Sequence, residues 1–537
     1  MKNIKNIKTI VVLLVLIVTG CSEYLEEDNL GNTTAENYYT TEKGYEGLVN
    51  AAYASLRNVY QPTPYMFCAG TDLFFNAHEE VPAGLASYQN LTPGTAEVDV
   101  FFSTLYQSIQ KTNMGLAYAE KTEDFSALKT RVAELKTIRA YYYFLLVQNF
   151  GDVTLVKNMI DEPITHFERT PAKEVYEFII DELKQAIVDL PPTQTDFGRV
   201  TQRAAQHILA KVYLTRGYES FAAPSDFSDA AVLADAAIAS QGLNLTFDKL
   251  FEYNKDKNEE VLWSIQYSPE STQSGGLSHN WDYPWGPLVQ GANDGVVKKS
   301  TLHPTQYLLT LFEDNDTRFE GTFLNIKTTP YSGWRLNPAN TPVAYYYPRT
   351  AAQIADVPAW RAADPLNRTK TIISPISDHW WDRLNTTDYP ALKKYDRVQT
   401  SSPSIQYTHD LYLARLGETY LIAAEAYFKS GNTASALARI NTVRLRAGAS
   451  EKASVDLDFI LEERARELAG EGFRWLDLKR TGKLMEYTKV RNPDIKALFD
   501  SGIDPFLGKG GNFKILRPIP LSAIALDSGE YAQNPAY

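Results

Sequence analysis

From Glu42 onward, apolar side chains recur at intervals of three and four residues. The stretch EKGYEGLVNAAYASLRN puts Tyr45, Leu48, Val49, Ala52 and Leu56 on one face, which predicts an amphipathic helix. A second such pattern runs from Val98 to Glu120. A third starts at Leu128, where Leu135, Ile138, Tyr142, Leu145 and Leu146 keep helical spacing until the stop at Phe150-Gly151-Asp152. Pro171 opens the next, at a turn where its missing N–H costs nothing, and Pro191-Pro192 ends it. His409 to Ala449 reads as two helices around Gly431-Asn432. In the stretch Ala453 to Arg480, Asp456 stands as a cap, and Leu457, Ile460, Leu461, Ala465 and Leu468 share a face. Gly470 falls where a left-handed C-cap belongs, and Gly472 turns the chain into FRWLDL. Glu462, Glu463, Arg464, Arg466 and Glu467 fill the other positions, with Glu462 four residues ahead of Arg466. The expectation is a helix with a paired-ion rim, clasped against the helical half.

Two segments echo one another. Tyr420, Ala424, Tyr427, Gly431, Ala436 and Ile440 stand near the spacings of a tetratricopeptide unit, and Ala210, Tyr213, Gly217 and Ala231 repeat them around an inserted loop. Small residues let two helices approach, and an aromatic fills between them. The predicted fold is mostly α: tetratricopeptide-like helix pairs support a loop-rich, aromatic-rich region with few short strands. The scaffold spans about 41–247 and 409–490, and the inserted region about 250–408. The separated repeats predict a compact half and not an extended solenoid.

Within the insertion, EVLWSIQYS (260–268) alternates as a short strand, and HPTQYLLTLFEDND reads as a helix with Pro304 near its first turn. The remainder mixes Gly and Pro with aromatics, as in NWDYPWGP, TTPYSGWR, AYYYPR and DHWWDR. Disordered chains are poor in aromatics, and this protein has 33 Tyr, 24 Phe and 8 Trp, so the region is expected to fold. Flat rings suit the C–H face of a pyranose, while acids, amides and guanidinium groups hold its hydroxyls. The candidate ligand residues are Trp281, Asp282, Tyr283, Trp285, Trp334, Trp380, Trp381 and Arg383, with Asp72, Phe74 and Asn76 from the earlier loop TDLFFNAHEE. A peptide would use similar rings and stays open as a ligand.

The formal charge of -12 and the lack of a basic run disfavour nucleic acid as a partner. None of the seven histidines forms HExxH, and G-x-S-x-G and Gly-rich phosphate loops are absent, so no metal, cofactor or catalytic group is predicted. With 65 acids, a carboxylate pair for glycoside hydrolysis stays conceivable, Glu79-Glu80 and Asp282 being the ones to check. A surface polymer hydrolase is the alternative to a binding protein. With two cysteines, Cys21 and Cys68, the first in a targeting segment, no disulfide framework is expected.

At the amino terminus, Lys2, Lys5 and Lys8 precede TIVVLLVLIVT. Eleven helical residues cover about 16 Å against a hydrocarbon core of roughly 30 Å, so this is a signal-peptide core within 1–20 and not a spanning helix. Val18-Thr19-Gly20-Cys21 resembles a bacterial lipobox, whose cysteine becomes lipidated. Residues 21–40 then form an acidic tether, and 41–537 the body.

The chain resembles the SusD/RagB family of outer-membrane nutrient-binding lipoproteins of Bacteroidetes. The resemblance rests on Glu463, Arg464, Glu467, Leu468, Glu471, Gly472, Arg474, Asp477, Leu478 and Arg480. It extends through the run from Arg415 to Gly448, through Arg139-Ala140 with Gly151-Asp152-Val153, and through Pro518-Ile519-Pro520 and Gln533-Asn534-Pro535. It implies a non-catalytic lid for a TonB-dependent outer-membrane transporter, facing the cell exterior and capturing an oligosaccharide or a peptide. It also implies four tetratricopeptide-like pairs. It carries over no ligand residues.

Overall fold

A computed structural model of the protein describes residues 34–76, 81–252, 255–268, 280–281, 283–285, 301–323, 326–328, 343–368, 371–372, 374, 389–390, 392–395, 409–527 and 531–537. The long helices are α1 (Glu42–Tyr60), α2 (Ala96–Ala119), α3 (Leu128–Phe150), α4 (Ala172–Asp189), α5 (Gln202–Arg216), α6 (Asp226–Ile238), α7 (Leu416–Lys429), α8 (Thr433–Arg446), α9 (Leu457–Leu468) and α10 (Arg474–Arg480). Each packs on its chain neighbour from α1 to α6, and again from α7 to α8. α6 also packs on α7, although the whole insertion separates them in sequence. The helical stack is thus continuous, and the insertion leaves it and returns.

Polar side chains cap the helix starts. Thr41, Thr201, Asn432 and Asp456 accept backbone N–H groups at the starts of α1, α5, α8 and α9. α3 is the central element. From Ala133 to Phe150 almost every residue is buried, so its apolar surface runs all round and shows no single face. Its tyrosines meet partners: Tyr142 Oη lies 2.7 Å from Ser55 Oγ, and Tyr143 Oη donates to the Val156 carbonyl at 2.8 Å.

Two strand assignments correct the sequence reading. Leu411–Arg415 is a strand, paired antiparallel with Val261–Ile265, and not the start of a helix. All five of its residues are buried, Arg415 included, so neither face meets solvent and the period-two signal vanishes. Leu302–Pro304 likewise pairs with Phe74–Asn76, and the helix expected at Pro304 begins at Gln306, capped by Thr305. A three-stranded sheet joins Ile326–Thr328, Val343–Tyr346 and Thr371–Ile372. Few, short strands are what the fold class predicted.

Candidate functional site

The charges of α9 do not form a rim. Glu463, Arg464 and Glu467 are almost completely inaccessible, and Arg466 nearly so. Glu467 Oε1 accepts Arg415 Nη1 at 2.8 Å and also Arg446, and its Oε2 lies 3.3 Å from Arg318 Nη1. Glu463 binds Arg318, Arg444 and Arg466 at 2.7, 2.8 and 2.7 Å. Glu471 takes Arg415 Nε at 2.6 Å and Lys394 Nζ at 2.7 Å. Burial alone would push the Glu467 carboxyl up, but the guanidinium groups of Arg446, Arg415 and Arg318 hold it well below the usual carboxylate range. Arg464 binds Asp477 at 2.7 Å and Glu418 at 3.3 Å, and Arg474 binds Asp72 at 2.7 Å. The pairings expected for Arg464 and Arg474, with Glu467 or Glu471, are therefore replaced by others. The charges face inward because four segments converge on α9, each bringing a base.

The same junction accounts for several predicted ligand residues. Asp72 is fully buried between Arg474 and Arg491, the latter at 3.1 Å. Trp281 is buried against Tyr60, Phe67 and Tyr395, and its Nε1 donates to the Tyr60 carbonyl at 2.7 Å. Trp285 is buried 4.5 Å from the Phe74 ring. Asp72, Phe74, Trp281 and Trp285 are thus interior groups, which corrects their reading as groove residues. An aromatic beside an acid is equally what a core joint needs. Asn76 is half-buried, and its backbone N–H donates to Asp494 Oδ2 at 2.7 Å. Tyr283 contributes backbone to a 3-10 turn, Tyr283–Trp285. Asp282, Trp334, Trp380, Trp381 and Arg383, like Cys21, lie outside the described residues.

The structure brings forward a ring pair that the sequence did not single out. Tyr346 and Trp360 stack at 4.6 Å with 25° between planes, both partly buried. Tyr346 ends the middle strand of the three-stranded sheet, and Trp360 stands on the helix Ala351–Ala363, none of whose residues is buried. Asn367 Nδ2 donates to the Trp360 carbonyl at 2.9 Å and ties that helix end to the next turn. Trp360 lies in a polar-apolar stretch without other aromatics, so composition gave no cluster to notice.

One end of the strand pair Val261–Ile265 and Leu411–Arg415 is pinned by Asp410. Asp410 accepts the Tyr267 N–H at 3.0 Å, Ser264 Oγ at 3.1 Å and Gln266 Nε2 at 2.5 Å, and no ion pair reaches it among the described residues. Burial raises its carboxyl to about 7; the Tyr267 N–H opposes this and nearby Asp256 adds to it. With the folded value above the unfolded one, the proton is held more tightly in the native state. Its contribution to stability is complete below about pH 4 and is lost as pH rises through 7. Urea unfolding should therefore show stability falling between pH 5 and 8, and Asp410→Asn should flatten that fall by on the order of 2 kcal/mol. Parallel profiles for the two proteins would contradict this.

Among the described residues, no group of three or more His, Cys, Asp or Glu is placed to hold a metal ion. The geometry offers rings on a surface and charges in the interior. The sequence pattern of the SusD family matches residues 259–537, more than half of the chain. The chain belongs to the SusD family. A second pattern, described as starch-binding associating with outer membrane, matches residues 24–214 of this SusD-family chain. A SusD-like protein of Bacteroides ovatus is 30% identical over 366 residues, 66% of this chain and 59% of that one. SusD-like protein P2 of Formosa agariphila is 25% identical over 97% of both. Among solved structures, a laminarin-binding SusD-like protein superposes with a TM-score of 0.68 at 24% identity, covering 93% of this chain and 100% of the other. That likeness shows the shared fold.

Proposed function

We propose that this SusD-family chain captures a glycan at the cell surface and delivers it to a TonB-dependent transporter of the outer membrane. The activity is binding without chemistry. The observation that carries the reading is the pair of family matches, which together take in both helical halves and much of the insertion. The name of one relative, laminarin-binding, supports an oligosaccharide over a peptide. Residues 1–20 serve as the export signal, a lipid on Cys21 anchors the chain, and 21–40 tether the body. Tyr346 and Trp360 serve as a platform for a sugar ring. Trp334, Trp380, Trp381 and Arg383, with Asp282, Tyr283 and Asn76, supply the further contacts.

Titration calorimetry against laminarin-type and starch-type oligosaccharides and a peptide panel, with product analysis on the same samples, tests this. Saturable heat with a glycan and no product is the expected result. Product that grows with protein concentration, or saturation by peptides alone, would overturn it. Trp360→Ala should weaken the glycan about tenfold, or ~1.4 kcal/mol, in the range of one aromatic contact, and lower the melting temperature only slightly, through the lost stacking on Tyr346.

A further inference from the structure

The helical half carries a groove of its own. It is a cavity of about 860 Å³ between the second half of α2, the first half of α3, part of α4 and the chain at 157–159. Lys121, Lys129, Lys136 and Lys157 line it. Arg139 and Glu182 also reach it, but they bind each other at 2.7 Å and cancel. Two exposed acids, Glu120 and Asp189, remain against four lysines. Lys136 Nζ donates to the neutral Gln185 at 2.5 Å, and Lys121 and Lys157 lie over the rings of Tyr118 and Phe178. Among the described residues, no carboxylate pairs with any of the four.

The described chain begins at the rim of this groove. Thr34 caps the short helix Ala35–Tyr38. The Tyr39 ring then packs edge-on against Tyr118 at 5.4 Å. Thr122 Oγ1 donates to the Tyr39 carbonyl at 3.2 Å, and the Glu123 N–H to the Thr40 carbonyl at 2.9 Å. Just upstream, outside the described residues, the sequence carries Glu23, Glu26, Glu27 and Asp28 and no base between Ser22 and Thr33. The lengths match. From Lys129 to Arg139 the groove follows α3 for about 15 Å. Glu23 to Asp28 extended covers roughly 20 Å, and 29–33 supply about 17 Å of link to Thr34.

We propose that the acidic stretch Glu23–Asp28 occupies this groove, its negative charge matched by the four lysines. Single surface ion pairs are worth about 0–1 kcal/mol and are screened by salt. A segment attached at the rim faces a millimolar-range local concentration, so a few such pairs suffice. The docked tether would fix which side of the body faces the membrane. That consequence rests on the lipid anchor; the docking does not.

The test uses the full-length chain in detergent and a glutamate-specific protease, which cuts after Glu26 and Glu27. Lys129→Glu with Lys136→Glu should speed cleavage there about tenfold, and 0.5 M salt should speed it in the wild type but little in the variant. A control reversal at the distant Lys489 should change nothing. Carbodiimide cross-linking of the wild type, mapped by mass spectrometry, should join Glu23–Asp28 to the four lysines, and it decides the matter even where the double variant folds badly. Equal cleavage rates, or cross-links from the stretch to other surfaces alone, would overturn the proposal. So would equal cleavage accompanied by reduced flotation of the variant with phosphatidylglycerol vesicles, which would assign the groove to lipid phosphate.

Discussion

Glu467→Gln should cost this protein about 3–5 kcal/mol of stability, the range for breaking a buried ion pair from one side. Glu467 is fully buried and touches Arg318 from the insertion, Arg415 from the return strand and Arg446 from α8. Gln keeps the shape and removes the charge, which leaves three buried guanidinium groups sharing fewer anions. The wild-type carboxylate is held ionised, so its contribution is present above the unfolded value, near pH 4.3, and is lost as pH falls through its lower folded value. The gap between variant and wild type should therefore persist across pH 5 to 8 in urea titrations and close in strong acid. Glycan affinity of the folded variant should stay within about twofold, because no described ring of the binding surface touches this cluster. Equal urea midpoints would show the network to be dispensable.

Gly472→Ala is the second large effect. Gly472 has φ +85°, where an L side chain is strained by roughly 1 kcal/mol. A Cβ there would also lie 2.7 Å from Trp281 Cη2 and 3.3 Å from Phe67 Cβ. Trp281 cannot retreat without giving up its bond to the Tyr60 carbonyl and its packing on Tyr395. Overpacking of this kind adds about 1–3 kcal/mol, so a loss of roughly 2–4 kcal/mol is expected in thermal or urea unfolding. Gly431→Ala makes the contrast, since its φ is +87° but nothing stands within 4 Å of its Cβ. The alanine at 431 should cost about 1 kcal/mol. Equal effects at the two positions would refute the account of the joint.

Much of the scaffold was legible. The faces of α1 and of α9, the Asp456 cap and the left-handed Gly470 follow from spacing and turn chemistry, which are local properties. The strand Leu411–Arg415 was not, because complete burial erases the alternation that marks a strand. Nor was the fate of the α9 charges. Spacing shows that Glu463 and Glu467 share a helix, but the bases that bury them come from residues 318, 415, 444 and 446. Aromatic density misled in the same way at Trp281 and Trp285, where packing in space and not the local cluster decides that the rings are interior. Trp360 was missed for the converse reason: its stacking partner, Tyr346, is fourteen positions away in sequence and meets it only in the fold.

The claim that matters most is that the ligand is held by partly exposed rings of the insertion while the buried ion network only carries them. One glycan titrated calorimetrically into wild type, Trp360→Ala and Glu467→Gln, well below each melting temperature, tests it directly. The account predicts weakened binding in the ring variant and near-wild-type binding in the network variant. Full affinity without Trp360, together with lost affinity without the Glu467 charge, would contradict it.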